Sequence, residues 1–227
     1  MILGSHMRTG VGNNSHTLYL CQSSDADHAV VFTDTSNGGA AHAITTVANA
    51  EHSTTVPFHS GSAIHMPANG DYLSTPAQAD FSLDTDDFCM DGWFRFNSVA
   101  GTGVMLGQWT NVGQYSTIVY RPANHIGYGI SFNGTASTLR TDTVILTALT
   151  WYHVAFIRVS GTFRLYINGV DVPGTMYTSV SALKVSTDLF IIGATANSVH
   201  GYAQSVRLVR NNIPYNLAGF TPPNRLH

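Results

Sequence analysis

Carboxylates are the side chains that would carry out hydrolytic chemistry in this sequence, and they are few. Glu51 is the sole glutamate and lies in a polar stretch, while Asp84, Asp86 and Asp87 cluster in the segment LDTDDF. Hydrolysis of a glycosidic bond generally needs two carboxyl groups that flank the bond. Acidic residues before a strand usually form a solvated turn, so we interpret the aspartate cluster as structural and do not expect a glycanase.

The histidines form no recognisable catalytic or metal-binding pattern. His153 lies beside Trp151 with no carboxylate near it in sequence, and no GxSxG motif occurs. A serine or cysteine nucleophile would need a histidine and an orienting acid. His59 and His65 bracket a turn and a strand, whereas an HExxH zinc site needs one helical face. We therefore interpret His153 as structural and predict that the protein is not an enzyme.

Aromatic residues near turns suggest a different chemistry, the noncovalent binding of sugars. A sugar uses aromatic rings as stacking platforms, and amides and hydroxyls as hydrogen-bond partners. The segment GQWTNVGQYS brings such groups together, and we take four of its residues as the candidate carbohydrate-binding site: Trp109, Asn111, Gln114 and Tyr115. Ordinary packing at the end of a strand is the alternative interpretation.

Composition favours strands and argues against two classes of partner. Charged residues make up 10% of the 227 residues, with one glutamate and one lysine, Lys184. Helix surfaces use Glu and Lys, whereas the plentiful Thr, Val, Tyr and Phe favour strands. The net charge is −3 and no basic run occurs. We expect no nucleic-acid partner, because phosphate binding needs clustered Lys and Arg, and no membrane span, which needs about 20 apolar residues.

Strand patterns recur along most of the chain and are separated by turn signals. The segment DFCMDGWFRFNS alternates an apolar face with a face that carries Cys89 and Trp93. Trp93 could line a concave sheet, pack under a covering loop, or meet another subunit. Short strands with regular turns are typical of an antiparallel β-sandwich or jelly roll. The predicted strands include residues 17–22, 29–34, 87–98, 152–159, 162–167, 188–194 and 201–211.

We predict one domain, residues 17–227, preceded by a flexible arm, residues 1–16. The segment GSHM at residues 4–7 resembles an expression scar, and a native start at Met1 or at Met7 is left open. The tail FTPPNRLH cannot extend a helix or a central strand through its two prolines. Cys21 and Cys89 are interpreted as buried reduced thiols, with a disulfide left open because two cysteines specify no framework.

Four segments together resemble the concanavalin A-like, laminin-G-like jelly-roll domains over roughly residues 17–223. VFTDTSNGGAAHAITTVANAEHS resembles the opening strand and loop of that family, and FHSGSAIHMPANGDYLSTPAQADFSLDTDDFCMDGWFRF resembles the run into its first long strand. WYHVAFIRVSGTFRLYINGV is similar to the family's hairpin, and GYAQSVRLVRNNIPYNLAGFTPP to the closing strand and tail of the variant in bacteriophage and marine viral structural proteins. The resemblance implies an all-β, antiparallel β-sandwich of the concanavalin A-like lectin/glucanase type.

The resemblance also implies a calcium site. Many laminin-G-like domains use an aspartate in the opening stretch together with an acid in the closing strand. Asp34 matches the first position, whereas Gln204 stands where the family often has aspartate and supplies one neutral oxygen. The alternative is that Asp34 caps a turn through the backbone amides that follow it. Ca²⁺ at Asp34 and Gln204 is therefore one of two open interpretations.

The resemblance leads us to expect a non-enzymatic structural or decoration protein of a bacteriophage virion, assembled in the host cytoplasm. Its partners would be capsid or tail proteins, docked through residues 1–16, and it would adhere to glycans. The alternative is a soluble carbohydrate-binding module or lectin, which would be extracellular. A homo-oligomer is compatible with both, and fold alone does not decide between them.

Overall fold

The computed structural model describes residues 15–59, 61–194 and 199–224, and they form two antiparallel sheets. The predicted arm falls almost wholly outside the described residues, as does the scar at residues 4–7. A short 3-10 helix spans Ala79–Phe81. The strands are β1 (Thr17–Cys21), β2 (Thr45–Val47), β3 (Glu51–Ser53), β4 (Ala63–Met66), β5 (Tyr72–Thr75), β6 (Phe88–Phe96), β7 (Thr102–Gly107), β8 (Thr117–Pro122), β9 (Gly127–Ile130), β10 (Thr138–Thr141), β11 (Trp151–Val159), β12 (Thr162–Ile167), β13 (Val170–Asp171), β14 (Tyr177–Thr178), β15 (Phe190–Gly193) and β16 (Gly201–Arg210).

The two sheets differ in size and share one core. The large sheet has the order β13-β12-β11-β6-β16-β4-β3, with β1 paired to β16 and β14 to β12. The small sheet has the order β10-β9-β8-β7-β15-β5-β2. Phe156 of the large sheet stacks on Tyr128 of the small sheet with ring centroids 4.3 Å apart. The predicted antiparallel sandwich of the concanavalin A-like type is confirmed.

The hairpin of β11 and β12 follows the sequence pattern closely. Ser160 and Gly161 form its turn with φ of 48° and 75°, and Asn168 and Gly169 form the next turn with φ of 51° and 79°. Positive φ at both central residues matches the twist of the flanking strands. The side chains of one β12 face, Phe163, Leu165 and Ile167, all enter the core as the alternation predicts.

The predicted strand over residues 29–34 is wrong. Only isolated bridges occur there, at Thr33 and Asp34, and the side chains of Val30 and Val31 are exposed by 55% and 71%. Two backbone hydrogen bonds tie the start of the segment to His52 of edge strand β3. Strand propensity reflects packing on a half-buried surface, which these valines do not have.

A second apolar cluster lies on the outer face of the large sheet, under the strap, by which we mean residues 211–224. It includes Cys89, Ile157, Tyr166, Val209 and Tyr215. The strap covers this cluster and is held to the sheet by two hydrogen bonds. The Tyr166 hydroxyl donates to the Leu217 carbonyl at 2.9 Å, and the Phe220 N–H donates to the Gly169 carbonyl at 3.0 Å.

The strap and a loop also decide the surroundings of Trp93. Its indole N–H donates to the Pro223 carbonyl at 3.1 Å, and Phe58 stacks on its ring at 3.7 Å. Of the three environments left open for Trp93, packing under a covering segment is the one observed.

The two cysteines are free and buried on opposite faces of the large sheet. Cys21 belongs to the core between the sheets and Cys89 to the cluster under the strap, so a disulfide between them does not form. Burial raises the pKa of the Cys21 thiol to about 12 and also raises that of Cys89. Over the described residues, no helix is long and apolar enough to cross a membrane.

Candidate functional site

The candidate carbohydrate-binding residues lie together in the loop between β7 and β8. Trp109 and Tyr115 stack with ring centroids 4.4 Å apart and planes 3° from parallel, and both are partly exposed. Two backbone bonds close the base of the loop, since Gln108 N–H donates to the Thr117 carbonyl at 2.8 Å and Ser116 N–H to the Gln108 carbonyl at 3.1 Å. The sequence spacing therefore predicted a real juxtaposition of rings.

The buried carboxylate of Asp188, which sequence reasoning missed, holds this loop. It accepts hydrogen bonds from the backbone N–H and hydroxyl of Thr110, and from the N–H and side-chain amide of Asn111 at 2.9 and 2.8 Å. The N–H of Leu189 donates to it at 3.0 Å. No sequence signal links Asp188 to the loop, because it approaches from the segment before β15.

The two amide side chains of the site present opposite hydrogen-bonding groups. The Asn111 amide nitrogen donates to Asp188 and to Thr110 Oγ1, which uses both of its N–H groups and leaves Oδ1 as an acceptor. Gln114 Oε1 accepts from the Thr187 N–H at 3.0 Å, which leaves Nε2 as a donor. The loop thus offers one acceptor and one donor beside the ring pair.

Trp109 also borders an apolar shelf on the outer face of the small sheet. A Cβ placed on Gly129 would lie 2.7 Å from Leu139 Cδ2, 2.8 Å from Ile118 Cγ2 and 3.5 Å from Trp109 Cη2. Glycine at 129 therefore lets these side chains close over the strand. Leu139 is half exposed at 50%, so the shelf continues the partly exposed surface of the ring pair.

The proposed calcium ligands Asp34 and Gln204 do not fit a cation. Asp34 Oδ1 accepts from the N–H groups of Leu20 and Ser36, and Oδ2 accepts from the backbone and ring N–H of His42. An ionised carboxylate has about four acceptor sites, and these four bonds fill them. Burial raises the pKa of Asp34, but the N–H donors lower it by more than burial raises it. The pKa therefore lies below its ordinary value.

The side-chain amide of Gln204 is likewise hydrogen-bonded to groups of the protein through both its oxygen and its nitrogen. Its Oε1 accepts the N–H groups of Phe58 and His59, each at 3.0 Å, and its Nε2 donates to the Ser62 carbonyl at 2.8 Å. No lone pair of the amide oxygen remains for Ca²⁺. The turn-capping interpretation of Asp34 is the one that the geometry supports, and the calcium interpretation of both residues is corrected. Within the described ranges, no group of three or more His, Cys, Asp or Glu side chains could hold a metal.

His153 belongs to a buried charged network under the strap. Its Nε2 lies 3.2 Å from Asp91 Oδ2, and Asp91 forms a bidentate pair with Arg207 at 2.9 Å. The Tyr215 hydroxyl donates to the same carboxylate. Burial alone would raise the pKa of Asp91, but the Arg207 guanidinium holds it well below the ordinary value. His153 is 0% exposed and Tyr215 7%, so substrate has no access and the structural interpretation of His153 fits.

The remaining acidic and histidine candidates are dispersed. Glu51 lies between two imidazoles, with His28 Nδ1 at 2.7 Å and His65 Nδ1 at 3.2 Å. In the aspartate cluster, Asp87 Oδ1 accepts the Ser160 N–H at 2.7 Å, an exposed contact that suits a turn. His59 contacts Phe58 and Trp93 instead of His65.

The chain is similar to known proteins at the level of fold. A family model described as the concanavalin A-like lectin/glucanases superfamily matches residues 67–211. No curated protein is similar enough to count as a match.

Three solved structures illustrate the similarity. The receptor binding domain of botulinum neurotoxin D superposes with a TM-score of 0.68 at 10% identity, over 89% of this chain and 51% of that chain. The binding domain of Paraclostridial Mosquitocidal Protein 1 superposes with a TM-score of 0.68 at 9% identity, over 87% of this chain and 49% of that chain. The botulinum neurotoxin serotype D ligand binding domain in complex with N-acetylneuraminic acid superposes with a TM-score of 0.66 at 11% identity, over 88% of this chain and 48% of that chain. This chain thus spans about half the length of these structures, and at such identities they share its fold alone.

Proposed function

The chain belongs to the concanavalin A-like lectin/glucanase superfamily, and from that premise we propose that it is a non-enzymatic carbohydrate-binding protein. The observation that carries the proposal is the partly exposed ring pair of Trp109 and Tyr115 on a loop held by a buried carboxylate. The ligands of fold relatives support the class of function only. One such relative is a complex with N-acetylneuraminic acid, and this chain covers about half of it.

In the proposed mode of binding, the C–H face of a sugar ring packs against the aromatic pair. A sugar hydroxyl donates to Asn111 Oδ1, and Gln114 Nε2 donates to another hydroxyl, since these are the groups that the loop leaves without protein partners in the described structure. The hydrogen bonds to Asp188 order the loop before ligand arrives, which lowers the entropic cost of binding. We propose a neutral saccharide as the ligand, because the hydrogen-bonding groups that the loop presents beside the rings are two uncharged amides.

The state of Asp188, the carboxylate that the described residues place at the site, supports binding without catalysis. Asp188 is 1% exposed and accepts five hydrogen bonds, so it has neither access to a sugar nor a free lone pair for acid, base or nucleophilic chemistry. A glycosidase of the usual kind needs two carboxyl groups on either side of the scissile bond.

Glycan-array screening followed by titration calorimetry on the best neutral oligosaccharide tests this function. We expect Trp109→Ala to weaken binding at least tenfold and Trp109→Phe, which keeps a ring, to weaken it less. Val112→Ala, at a 74% exposed position of the same loop, is the matched control and should bind like the parent protein. An array without neutral hits, or unaltered binding by Trp109→Ala, would contradict the proposal.

A virion structural role is a second proposal, supported by the resemblance of residues 201–223 to the closing segment of bacteriophage structural proteins. Docking through residues 1–16 onto capsid or tail proteins, and a location in the virion or, for a free lectin, outside the cell, stay predictions. Deleting residues 1–16 should abolish incorporation into particles without unfolding the domain. Normal incorporation of the deletion variant would count against docking through the arm.

A further inference from the structure

A row of polar and aromatic side chains crosses the outer face of the large sheet near one end. The strand register places Trp151 opposite Arg95, Arg95 opposite Tyr202, Tyr202 opposite His65, and His65 opposite Glu51. Directly opposite residues on neighbouring strands have Cβ atoms roughly 4.5–5.5 Å apart on the same face. Five side chains from β11, β6, β16, β4 and β3 thus form one strip, which we call the Arg95 strip.

Side-chain contacts make most of the Arg95 strip continuous. The rings of His65 and Tyr202 stack with centroids 4.4 Å apart and planes 10° from parallel. The Arg95 guanidinium lies over the other end of the stack, 5.4 Å from the Tyr202 centroid. The side chains of His65 and Glu51 retain 18% and 22% exposure, so solvent reaches the strip, whereas the network under the strap is closed.

The charges of the strip are unevenly compensated. Glu51 is flanked by two imidazoles, but Arg95 has no carboxylate partner in the described part of the chain. Its Nε donates to the Leu149 carbonyl at 3.2 Å and its Nη1 to Asn97 Oδ1 at 3.5 Å. The remaining N–H groups of the guanidinium keep the planar fork that matches a carboxylate.

Arg95 also differs from the deeply buried arginines of the chain. The terminal N–H groups of Arg121 and Arg158 donate to backbone carbonyls. Arg164 resembles Arg95 in its partial exposure and its place in the large sheet, but it is already paired with Asp171. A partly exposed guanidinium that has no carboxylate partner among the described residues, and that lies opposite a partly exposed tryptophan, is the chemical complement of an acidic sugar.

We propose that the Arg95 strip is a second binding site, for a saccharide that carries a carboxylate, such as a uronate or a sialate. The carboxylate binds the Arg95 fork and the sugar ring packs against Trp151. This site lies on the large sheet, whereas the loop of Trp109 belongs to the small sheet, so the two sites take ligands of different charge independently.

Titration calorimetry with two pairs of oligosaccharides tests the assignment. Trigalacturonate is compared with its carboxyl-reduced counterpart, and sialyllactose with lactose. At least one acidic member should bind tenfold or more tightly than its neutral partner, and the member that does so tells a uronate from a sialate. The affinity should fall as ionic strength rises from about 0.05 to 0.5 M, because salt screens a partly exposed charge pair. Failure of both acids, or equal affinity within each pair, would overturn the proposal.

Variants then locate the binding. Arg95→Gln should weaken acidic binding at least tenfold, and Arg95→Lys should weaken it less, because the lysine keeps the charge and loses the fork. Arg164→Gln, whose arginine is already paired, is the matched control and should bind like the parent protein. Acidic binding that survives Arg95→Gln in full refutes the site. Trp109→Ala should leave acidic binding intact, so this site and the Trp109 loop can fail separately.

Discussion

At the scale of single residues, the carboxylate of Asp188 explains why an irregular loop can hold a ring pair in place. Five hydrogen bonds converge on a side chain that is 1% exposed, and two of the donors are backbone N–H groups of the loop, from Thr110 and Asn111. An unpaired carboxylate at such depth would be costly, but one with all its partners fixes the loop backbone. We therefore assign Asp188 as a positioning residue of the loop, which in the proposed sugar site acts through Trp109 and Asn111.

Asp188→Asn should loosen the loop, because its amide nitrogen would face N–H donors where an oxygen now accepts them. We expect a loss of about 1–3 kcal/mol in the free energy of unfolding. Trp109 should become more accessible to acrylamide quenching, and neutral-sugar affinity should fall. The control Asp171→Asn breaks a partly exposed ion pair in the other sheet and should leave Trp109 quenching unchanged. Unchanged quenching in Asp188→Asn would refute the positioning role.

The pH dependence of stability should report the turn around Asp34. The pKa of Asp34 is lower in the folded protein than the ordinary value near 4. The contribution of the Asp34 carboxylate to the free energy of unfolding is therefore full above the ordinary pKa, and it is lost as pH falls through the lower pKa of the folded state. Asp34→Asn should therefore cost about 1.5–3 kcal/mol at pH 7 and less at pH 3. Urea unfolding of both proteins at the two pH values measures this, and a gap that does not narrow at pH 3 would contradict it.

Sequence reasoning at this scale succeeded for neighbours along the chain and failed for distant partners. Trp109 and Tyr115 are separated by one tight loop, so their spacing predicted their contact. Asp188 reaches the same loop from a remote segment, and only the pairing of β15 with β7 brings it there. Asp34 was left open between two interpretations, because an aspartate that caps a turn and one that binds calcium look alike until the N–H donors are placed.

At the scale of elements, strand β6 shows which part of a strand pattern is readable. Its alternation predicted two faces, and Phe94 does point into the core while Cys89 and Trp93 point away from it. The sequence did not predict what covers the outer face, because that depends on where the strap crosses the sheet. Gly169 permits the crossing, since a Cβ there would lie 1.7 Å from the Phe220 carbonyl oxygen.

Removing the strap should expose the outer face of the large sheet while the sandwich stays closed. In a variant that lacks residues 212–227, we expect Cys89 to react with a maleimide in the folded state, because Tyr215 no longer covers its cluster. Cys21, in the core between the sheets, should stay protected and is an internal control. Peptide mapping by mass spectrometry distinguishes the two thiols. Equal protection of both would show that the strap is not the cover, and equal labelling would show general unfolding.

At the scale of the whole molecule, the two sheets form one structural unit with two chemically different surfaces. The sandwich followed from turns and alternation, which are local in sequence, and the family followed from the resemblance of four segments in the right order. The two candidate sites lie on different sheets, one with neutral amides beside rings and one with a guanidinium that has no carboxylate partner in the described part of the chain. Because folds of this kind host many functions, the sites decide the ligands.

The shared core predicts that the two sheets unfold together. Phe156 is fully buried and contacts Phe88 and Phe163 of its own sheet and Tyr128 of the other. Phe156→Ala should cost about 3–5 kcal/mol, because it leaves a cavity between the sheets. Hydrogen exchange should show the same loss of protection for the slowest amides of β8 and β9 as for those of β11 and β12. A loss confined to β11 and β12 would mean that the small sheet is stable without the large one, and that its Trp109 loop does not depend on the common core.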